Sequence, residues 1–479
     1  MMLALKRWYA PALRQTVFKQ MTILLRLKAV AALILVATTA SARSESLLCP
    51  ELQLDETYAE GSMKAMSKVV VGKGSWLFRS DFDLANSFGM PEPYPAEFAR
   101  LVERLNQQGI ALVMAVQPTR GLMHKDKVRV DEPYGFDPVL ARQNMQNYLI
   151  QLSQAGAVVP NVMTLVDEPP EEEYFFRRDH HWTPAGARET AKIVAELVRK
   201  QPWYEDLPQR SYVTETGLIL PKDGTMNTAL KYVCGNNFGI QYVQGYQTAP
   251  ADLDGADALF GNTEVPQLIL VGTSNSAVRE DERKNYNFQG FLQDYIGAEI
   301  LNYALQGSGQ DGSLIQYLQS PDYDPDNPPK AIIWELPVSY ALDDPLIYRQ
   351  LIPAVDGACD KADAVLQQQA SFSAMQPEQR YEVLSNTAGD WRDLRGQAGY
   401  LDLRVSDSSL KEFYVITYYD NGERDKVWFR RPAIVDGGQY YLELSRDPDL
   451  AGANILSVFI EPTQSIETQI DVEVALCTG

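Results

Sequence analysis

Two patterns of hydrophobic positions divide this chain. From Ser67 to about Leu351, continuous apolar runs alternate with amphipathic ones. Val69-Val71 and Gly74-Ser75-Trp76-Leu77-Phe78 predict an opening hairpin-like element, Pro95 to Gln108 a helix ended by Gly109, and Ile110 to Val116 a buried strand. A helix over Asp137 to Leu152 and a short strand over Val162 to Val166 follow. Ile193, Val194, Leu197 and Val198 form the apolar stripe of a helix from Ala185 to Lys200, with Thr183 as N-cap and Pro184 as first helical residue. Further on, Leu268 to Val271 reads as a buried strand ending in the sharp turn Gly272-Thr273-Ser274. A helix over Asn287 to Tyr295, a strand over Glu299 to Ala304, a helix over Gly312 to Leu318 and a strand over Ala331 to Leu336 complete the series. Such alternation predicts an α/β domain whose mostly parallel sheet is covered on both faces, with ligands at the carboxyl ends of its strands. Gln117-Pro118-Thr119, Ser274, Gln306-Gly307-Ser308-Gly309 and Glu335 fall at such ends.

After about Pro353 the period changes. A short helical stretch over Asp360 to Gln369 is expected to give way to strands over Tyr400 to Val405, Phe413 to Tyr419, Lys426 to Arg431, Gln439 to Leu444, Ile455 to Ile460 and Ile470 to Leu476. Asn421-Gly422 between two apolar runs is a hairpin signal, and several short strands at this spacing predict a C-terminal β-sandwich. The expected organisation is therefore a domain over residues 43–353 and a sandwich over 354–479. On the strand around Lys426, alternation puts Arg424, Lys426, Trp428 and Arg430 on one face. A flat ring among cations suits an acidic polysaccharide, the ring stacking on a sugar and the cations meeting carboxylates. The competing reading places Trp428 in the core and balances the cations with neighbouring acids.

The N-terminus bears on compartment. Residues 1–42 carry six Lys or Arg and no acid, with an apolar run from Ala29 to Ala40 followed by Ala40-Ser41-Ala42. That is the grammar of a cleaved export signal, with a mature protein starting near Arg43; Met21 would give a signal of ordinary length. All four cysteines (Cys49, Cys234, Cys359, Cys477) lie beyond it, too far apart to form CxxC metal-ligand pairs. Three disulfide pairings are open; pairing within each domain gives Cys49–Cys234 and Cys359–Cys477. The net charge is −20 and falls to about −26 without the six N-terminal cations. A field of that sign disfavours nucleic acid, and any polyanionic ligand needs a local basic track.

The candidate chemistry lies in a few residues. The chain has three histidines, two of them in Asp179-His180-His181-Trp182-Thr183-Pro184. An Asp-x-His loop and a strand-end serine are the parts of a nucleophilic triad, in which histidine takes the serine proton and aspartate orients the histidine. If the loop before Thr183 is extended, side chains two apart share a face. Asp179 and His181 then point together and His180 points away, which makes His181 the base for Ser274. No residue type here separates transfer to a sugar from hydrolysis by water, and a non-catalytic polysaccharide-binding or export scaffold is the third reading.

The Asp179-His180-His181-Trp182 loop, the Gly272-Thr273-Ser274 strand end and the Gly307-Ser308-Gly309 turn resemble the SGNH/GDSL-like sugar O-acetyltransferases. With the sandwich, the likeness extends over roughly residues 45–477, to the exported alginate-acetylating members that carry a carbohydrate-binding module. The resemblance implies a three-layer α/β/α domain in the periplasm, with Ser274 as nucleophile, His181 as base and Asp179 as orienting acid. It implies acetyl transfer to mannuronate hydroxyls of alginate, an acetyl donor but no cofactor or metal, and other alginate biosynthesis and export proteins as partners. Ordinary members place serine first, in Gly-Asp-Ser; here the order is reversed and Thr273 replaces the aspartate. The usual asparagine donor of the oxyanion hole then has no clear counterpart. Backbone N–H groups of Ser274, Gly307 and Gly309 are the expected donors, ahead of Asn275 and Gln306.

Overall fold

The computed structural model describes residues 49–478 except 252–264, 360–363 and the single positions 388, 390, 398, 436 and 445. The expected export signal lies outside the described residues. The first element is an antiparallel hairpin of β1 (Val69–Val71) and β2 (Leu77–Arg79). The helix Tyr94–Gln107 buries Phe98, Leu101, Val102 and Leu105 along one side. It turns through Gly109, at a φ of 77° that favours glycine, into β3 (Ala111–Gln117). The helix Pro138–Gln154 is capped by the Asp137 carboxylate, and the helix Pro184–Val198 by the Thr183 hydroxyl, which accepts from the Gly186 N–H. A long antiparallel ribbon of β4 (Tyr212–Lys222) and β5 (Gln241–Pro250) follows, with the helix Thr225–Cys234 between its strands.

β6 (Leu268–Val271), β7 (Ile300–Asn302) and β8 (Ala331–Pro337) join β3 in a parallel sheet of order β3-β8-β6-β7. The central strands are buried along their length, as the unbroken apolar runs require. Glu335 is the exception, a fully buried carboxyl near the end of β8. The sheet and its helices share one core, as the expected α/β domain requires.

The C-terminal strands are β9 (Ala364–Phe372), β10 (Tyr381–Ser385), β11 (Tyr400–Val405), β12 (Glu412–Tyr419), β13 (Arg424–Arg430), β14 (Gln439–Glu443), β15 (Ile455–Pro462) and β16 (Ile470–Cys477). They form two antiparallel sheets, β10-β15-β12-β13 and β14-β11-β16-β9. Most inward residues of both sheets belong to a second core. The sandwich is clamped to the α/β domain. Arg100 meets Glu443 at 2.5 Å, Arg349 meets Asp425 at 2.5 Å, and Ile434 and Tyr441 pack into the first core. Disulfides join Cys49 to Cys234 and Cys359 to Cys477, with Cα separations of 5.5 and 6.3 Å. No helix among the described residues is long and apolar enough to cross a membrane.

Two expected elements differ. The strand expected over Val162 to Val166 is the helix Met163–Asp167: Val162, Met163, Leu165 and Val166 are buried and Thr164 is exposed, a helical spacing that a short apolar run conceals. The helix expected over Asp360 to Gln369 is β9 from Ala364 onward, its glutamine-rich helical propensity overridden by pairing along β16; residues 360–363 lie outside the described residues.

Candidate active site

The carboxyl end of β6 is built around hydrogen bonds that leave one donor open. The Gly272 N–H donates to the Ser313 hydroxyl at 2.9 Å and the Thr273 N–H to Glu335 Oε2 at 2.8 Å. The Asn275 N–H donates to Thr273 Oγ1 at 3.2 Å, and the Ser276 and Ala277 N–H groups to the Thr273 carbonyl at 3.1 Å each. Of these turn residues, the Ser274 N–H has no acceptor among the described residues, the arrangement an oxyanion donor needs. Glu335 anchors the turn from below, accepting also from the hydroxyls of Thr273 and Ser276 and from the Gln117 amide. A Cβ at position 272 would lie 2.6 Å from Glu335 Oε2, so only glycine fits there. Burial pushes the Glu335 carboxyl up to about 7, opposed by the donors of Thr273, Ser276 and Asn275.

The Asp-His loop is a bend rather than extended backbone. The His181 N–H donates to Asp179 Oδ1 at 3.0 Å, closing a local turn that folds the imidazole back over the carboxylate. His181 Nδ1 lies 2.5 Å from Asp179 Oδ1, and its Nε2 lies 2.8 Å from Ser274 Oγ. The three residues expected to act together are thus in contact, in the order Asp179, His181, Ser274. The bend corrects the expectation for His180, which does not point away. Its ring packs, tilted, against His181 at 3.9 Å and its Nδ1 meets the Thr225 hydroxyl at 2.8 Å. The third histidine, His124, is structural: it packs on Trp76 at 4.1 Å, and its Nε2 accepts from the Phe175 N–H at 3.2 Å.

Two further contacts hold this loop. Trp182 donates its backbone N–H to Asn275 Oδ1 and its indole N–H to the Asn275 carbonyl, joining the histidine loop to the serine turn. The buried guanidinium of Arg120 donates to the carbonyls of Phe176, Asp179, Leu77 and Arg177. Its Nε lies 3.2 Å from the Asp83 carboxylate.

Burial pushes the Asp179 carboxyl up, but His181, Lys222 and His180 outweigh it and hold it well below the usual carboxylate range. Burial lowers the proton affinity of His181; Asp179 opposes this, and Lys222 and Arg279 add to it. Lys222 was not read from the sequence, because it reaches the site from the end of β4. Its ammonium lies 3.4 Å from Asp179 Oδ1, the oxygen that receives His181, and donates to the Tyr286 hydroxyl. A neutral His181 is needed to accept a proton, so turnover of a small ester is expected to fall only as pH drops below the ordinary histidine range. Lys222→Met removes a cation that opposes protonation and should move that acid limb to higher pH, which a pH–rate profile reads directly. An unmoved limb would remove Lys222 from the tuning of the triad.

The cavity over Ser274 is about 30 Å³ and is bordered by Arg79, Phe82, Gln117, His180, Asn275 and Tyr340. The Gly307-Ser308-Gly309 turn does not border it. β7 lies at the sheet edge, outside β6, and its following turn lines a second cavity of about 480 Å³. Among the expected oxyanion donors, the Ser274 N–H is therefore placed at the nucleophile and Gly307 and Gly309 are placed elsewhere. The Asn275 amide bonds to Gln117 and Thr273. Asp179, His180 and His181 bring potential metal ligands within 4.8 Å of one another. Asp179 Oδ1 and His181 Nδ1 already bond to each other, and His180 Nδ1 to Thr225.

Residues 69–338 match the family described as SGNH hydrolase-like domain, acetyltransferase AlgX, and residues 358–479 match a C-terminal carbohydrate-binding module. The chain is 36% identical over 431 residues to the alginate biosynthesis protein AlgX of Pseudomonas aeruginosa, covering 90% of this chain and 88% of that one. It belongs to the AlgX family. The solved structure of Pseudomonas aeruginosa AlgX superposes with a TM-score of 0.80, covering 90% of this chain and all of that one. A more distant relative is the probable alginate O-acetylase AlgJ of Pseudomonas putida, 30% identical over 281 residues, which span 57% of this chain and 70% of that protein.

In this AlgX-family chain the basic face of the sandwich is formed as the alternation of β13 predicts. Arg424, Lys426, Trp428 and Arg430 are exposed while Val427 and Phe429 are buried. Trp428 is 44% exposed, so the core alternative fails. Its ring stacks beside Tyr414 from β12 at 6.1 Å, and Lys426 sits 4.0 Å above Tyr414 while pairing with Glu461 at 2.8 Å. Trp428 and Arg430 also line the 480 Å³ cavity with the Gly307–Gly309 turn, so the basic face runs into the cleft between the domains.

Proposed function

We propose that this protein is a periplasmic O-acetyltransferase of alginate biosynthesis that passes acetyl through Ser274 to mannuronate hydroxyls. The observation that carries the reading is the unbroken contact from Asp179 through His181 to Ser274 Oγ, beneath an open Ser274 N–H. Membership of the AlgX family, the likeness to the probable alginate O-acetylase AlgJ and the carbohydrate-binding module supply the substrate class. The two disulfides fit an oxidising compartment.

Ser274 Oγ attacks the acyl carbon of the donor while His181 Nε2 takes the hydroxyl proton. The oxyanion that forms is met by the Ser274 N–H, and Asp179 stabilises the imidazolium. Collapse expels the donor's leaving group, which receives the proton from His181. A mannuronate hydroxyl then attacks acetyl-Ser274 and gives its proton to His181. The second collapse releases the sugar ester and returns the proton to Ser274 Oγ. The cavity at Ser274 is small, about 30 Å³, on the scale of an acyl group.

The reading is tested by incubating the mature chain with an activated acetyl ester and mannuronate oligomers and weighing the products. Acetylated sugar in excess of free acetate is expected; acetate alone would make the protein an esterase. Polymer capture is proposed for the Arg424, Lys426, Trp428 and Arg430 face, where stacking and cations act together. Lys426→Ala with Trp428→Ala should weaken binding of long polymannuronate about tenfold or more and flatten its salt dependence. Unchanged affinity at low salt would remove this face from the polymer path.

A further inference from the structure

Arg279 follows the nucleophile by five residues and is bound to its backbone: Nη2 donates to the Ser274 carbonyl at 2.9 Å. Nε is buried and has no acceptor, and no carboxylate among the described residues is hydrogen-bonded to the guanidinium. That is an unusual state in a chain with 63 acidic residues and 43 Lys or Arg. The other cations around the triad each have a carboxylate: Arg79 and Arg120 meet Asp83, and Lys222 meets Asp179. Arg279 is close enough to act electrostatically on His181, Lys222 and Tyr286, which places its charge beside the base. It is half-buried, on the flank of Ser274 where Tyr286 packs against His181 at 5.4 Å, and it does not border the small cavity at Arg79 and Gln117.

A sugar hydroxyl that attacks acetyl-Ser274 must come to His181 Nε2. On a uronate, the carboxylate sits on the same ring as that hydroxyl, so its counter-charge has to stand next to the nucleophile. The basic face of β13 does not border the cavity at Ser274. We propose that Arg279 is the acceptor-specificity residue of this site, binding the carboxylate of the uronate unit that receives the acetyl group. The proposal rests on the transferase reading above and adds to it which residue recognises the reacting sugar. A planar guanidinium with its other nitrogen already fixed to the Ser274 carbonyl is pre-oriented for a carboxylate, an arrangement a lysine ammonium reproduces only in charge.

The plainer role for Arg279 is to clamp the serine turn, and the test separates the two. On each enzyme, kcat/KM for transfer is measured from one activated acetyl ester to short mannuronate oligomers and to the same oligomers with their carboxyl groups reduced to alcohols. The ratio of the two values cancels any effect on acetyl-enzyme formation. Wild type should favour the uronate about 10- to 100-fold, the range of a charge-assisted hydrogen bond. Arg279→Gln should bring the ratio close to one, and Arg279→Lys should leave it between the two. A clamp alone would lower both acceptors equally, and a wild-type ratio retained in Arg279→Gln would overturn the proposal. Failure of the transferase reading would show separately, as no sugar acetylation by the wild-type enzyme with either acceptor. If Arg279→Gln does not fold, the ratio in Arg279→Lys decides, an unchanged value counting against the proposal.

Discussion

Ser274→Ala is expected to abolish acetyl transfer while leaving the fold intact, with a loss on the order of 10⁴- to 10⁶-fold. His181→Ala should lose nearly as much, because Nε2 at 2.8 Å from Ser274 Oγ is the base that the site brings to the hydroxyl. Asp179→Ala should cost somewhat less than either, since it orients the imidazole without touching the serine. Double variants within the three should lose little beyond the worst single one, as residues acting in one relay do. His180→Ala is the internal control. Its ring packs on His181 and bonds to Thr225, so it should be milder than His181→Ala, and equal losses would move the base assignment. Steady-state turnover of an activated acetyl ester, with circular dichroism to confirm folding, reads all of these variants.

The second large effect is on stability. Arg120→Met should destabilise the α/β domain by about 3–5 kcal/mol, the cost of breaking a buried ion pair by removing one partner. The guanidinium is 1% exposed and donates to the Phe176 and Asp179 carbonyls at 2.5 and 2.6 Å and to the Leu77 and Arg177 carbonyls at 2.7 and 3.2 Å. Methionine fills much of the volume but removes the guanidinium from those carbonyls, of which Arg177 keeps the Leu77 N–H, and leaves Asp83 with only Arg79. The expected drop in Tm is on the order of 10 °C. Because two of the carbonyls belong to the loop that carries His181, activity at a temperature where the variant is still folded should also fall. A variant with wild-type Tm would mean that other groups satisfy the loop.

The parts of this molecule legible in the sequence are those where local chemistry and tertiary structure agree. β3, β6 and β8 are unbroken apolar runs because both faces are buried, and Thr183-Pro184 caps its helix as that pair does in isolation. Asp179, His181 and Ser274 could be paired because the chain offers few imidazoles and one strand-end serine turn. The geometry behind the pairing was different: a bend closed by the Asp179 carboxylate, not an extended segment, brings the two together. The ribbon of β4 and β5 was missed because it stands on the surface of the domain, with Val213, Leu218, Ile219 and Tyr242 exposed and no clean alternation to read. Lys222 was missed with it. Glu335 was legible as a strand-end polar residue, but not as the anchor of the nucleophile turn, since that role depends on β6 lying beside β8. The Gly307–Gly309 turn follows β7, beside β6, but lines the 480 Å³ cavity and not the one at Ser274, a difference that sequence distance does not reveal.

The most direct measurement is to trap the acyl-enzyme. The mature protein is mixed with an activated acetyl ester, quenched in acid and digested, and the peptide containing Ser274 is analysed by mass spectrometry before and after a chase with mannuronate oligomers. The account predicts one acetyl group on Ser274, absent in Ser274→Ala, that leaves during the chase and appears on sugar hydroxyls. No acetyl group on Ser274 in an enzyme that still acetylates the oligomers, or the same acetylation in Ser274→Ala, would contradict it.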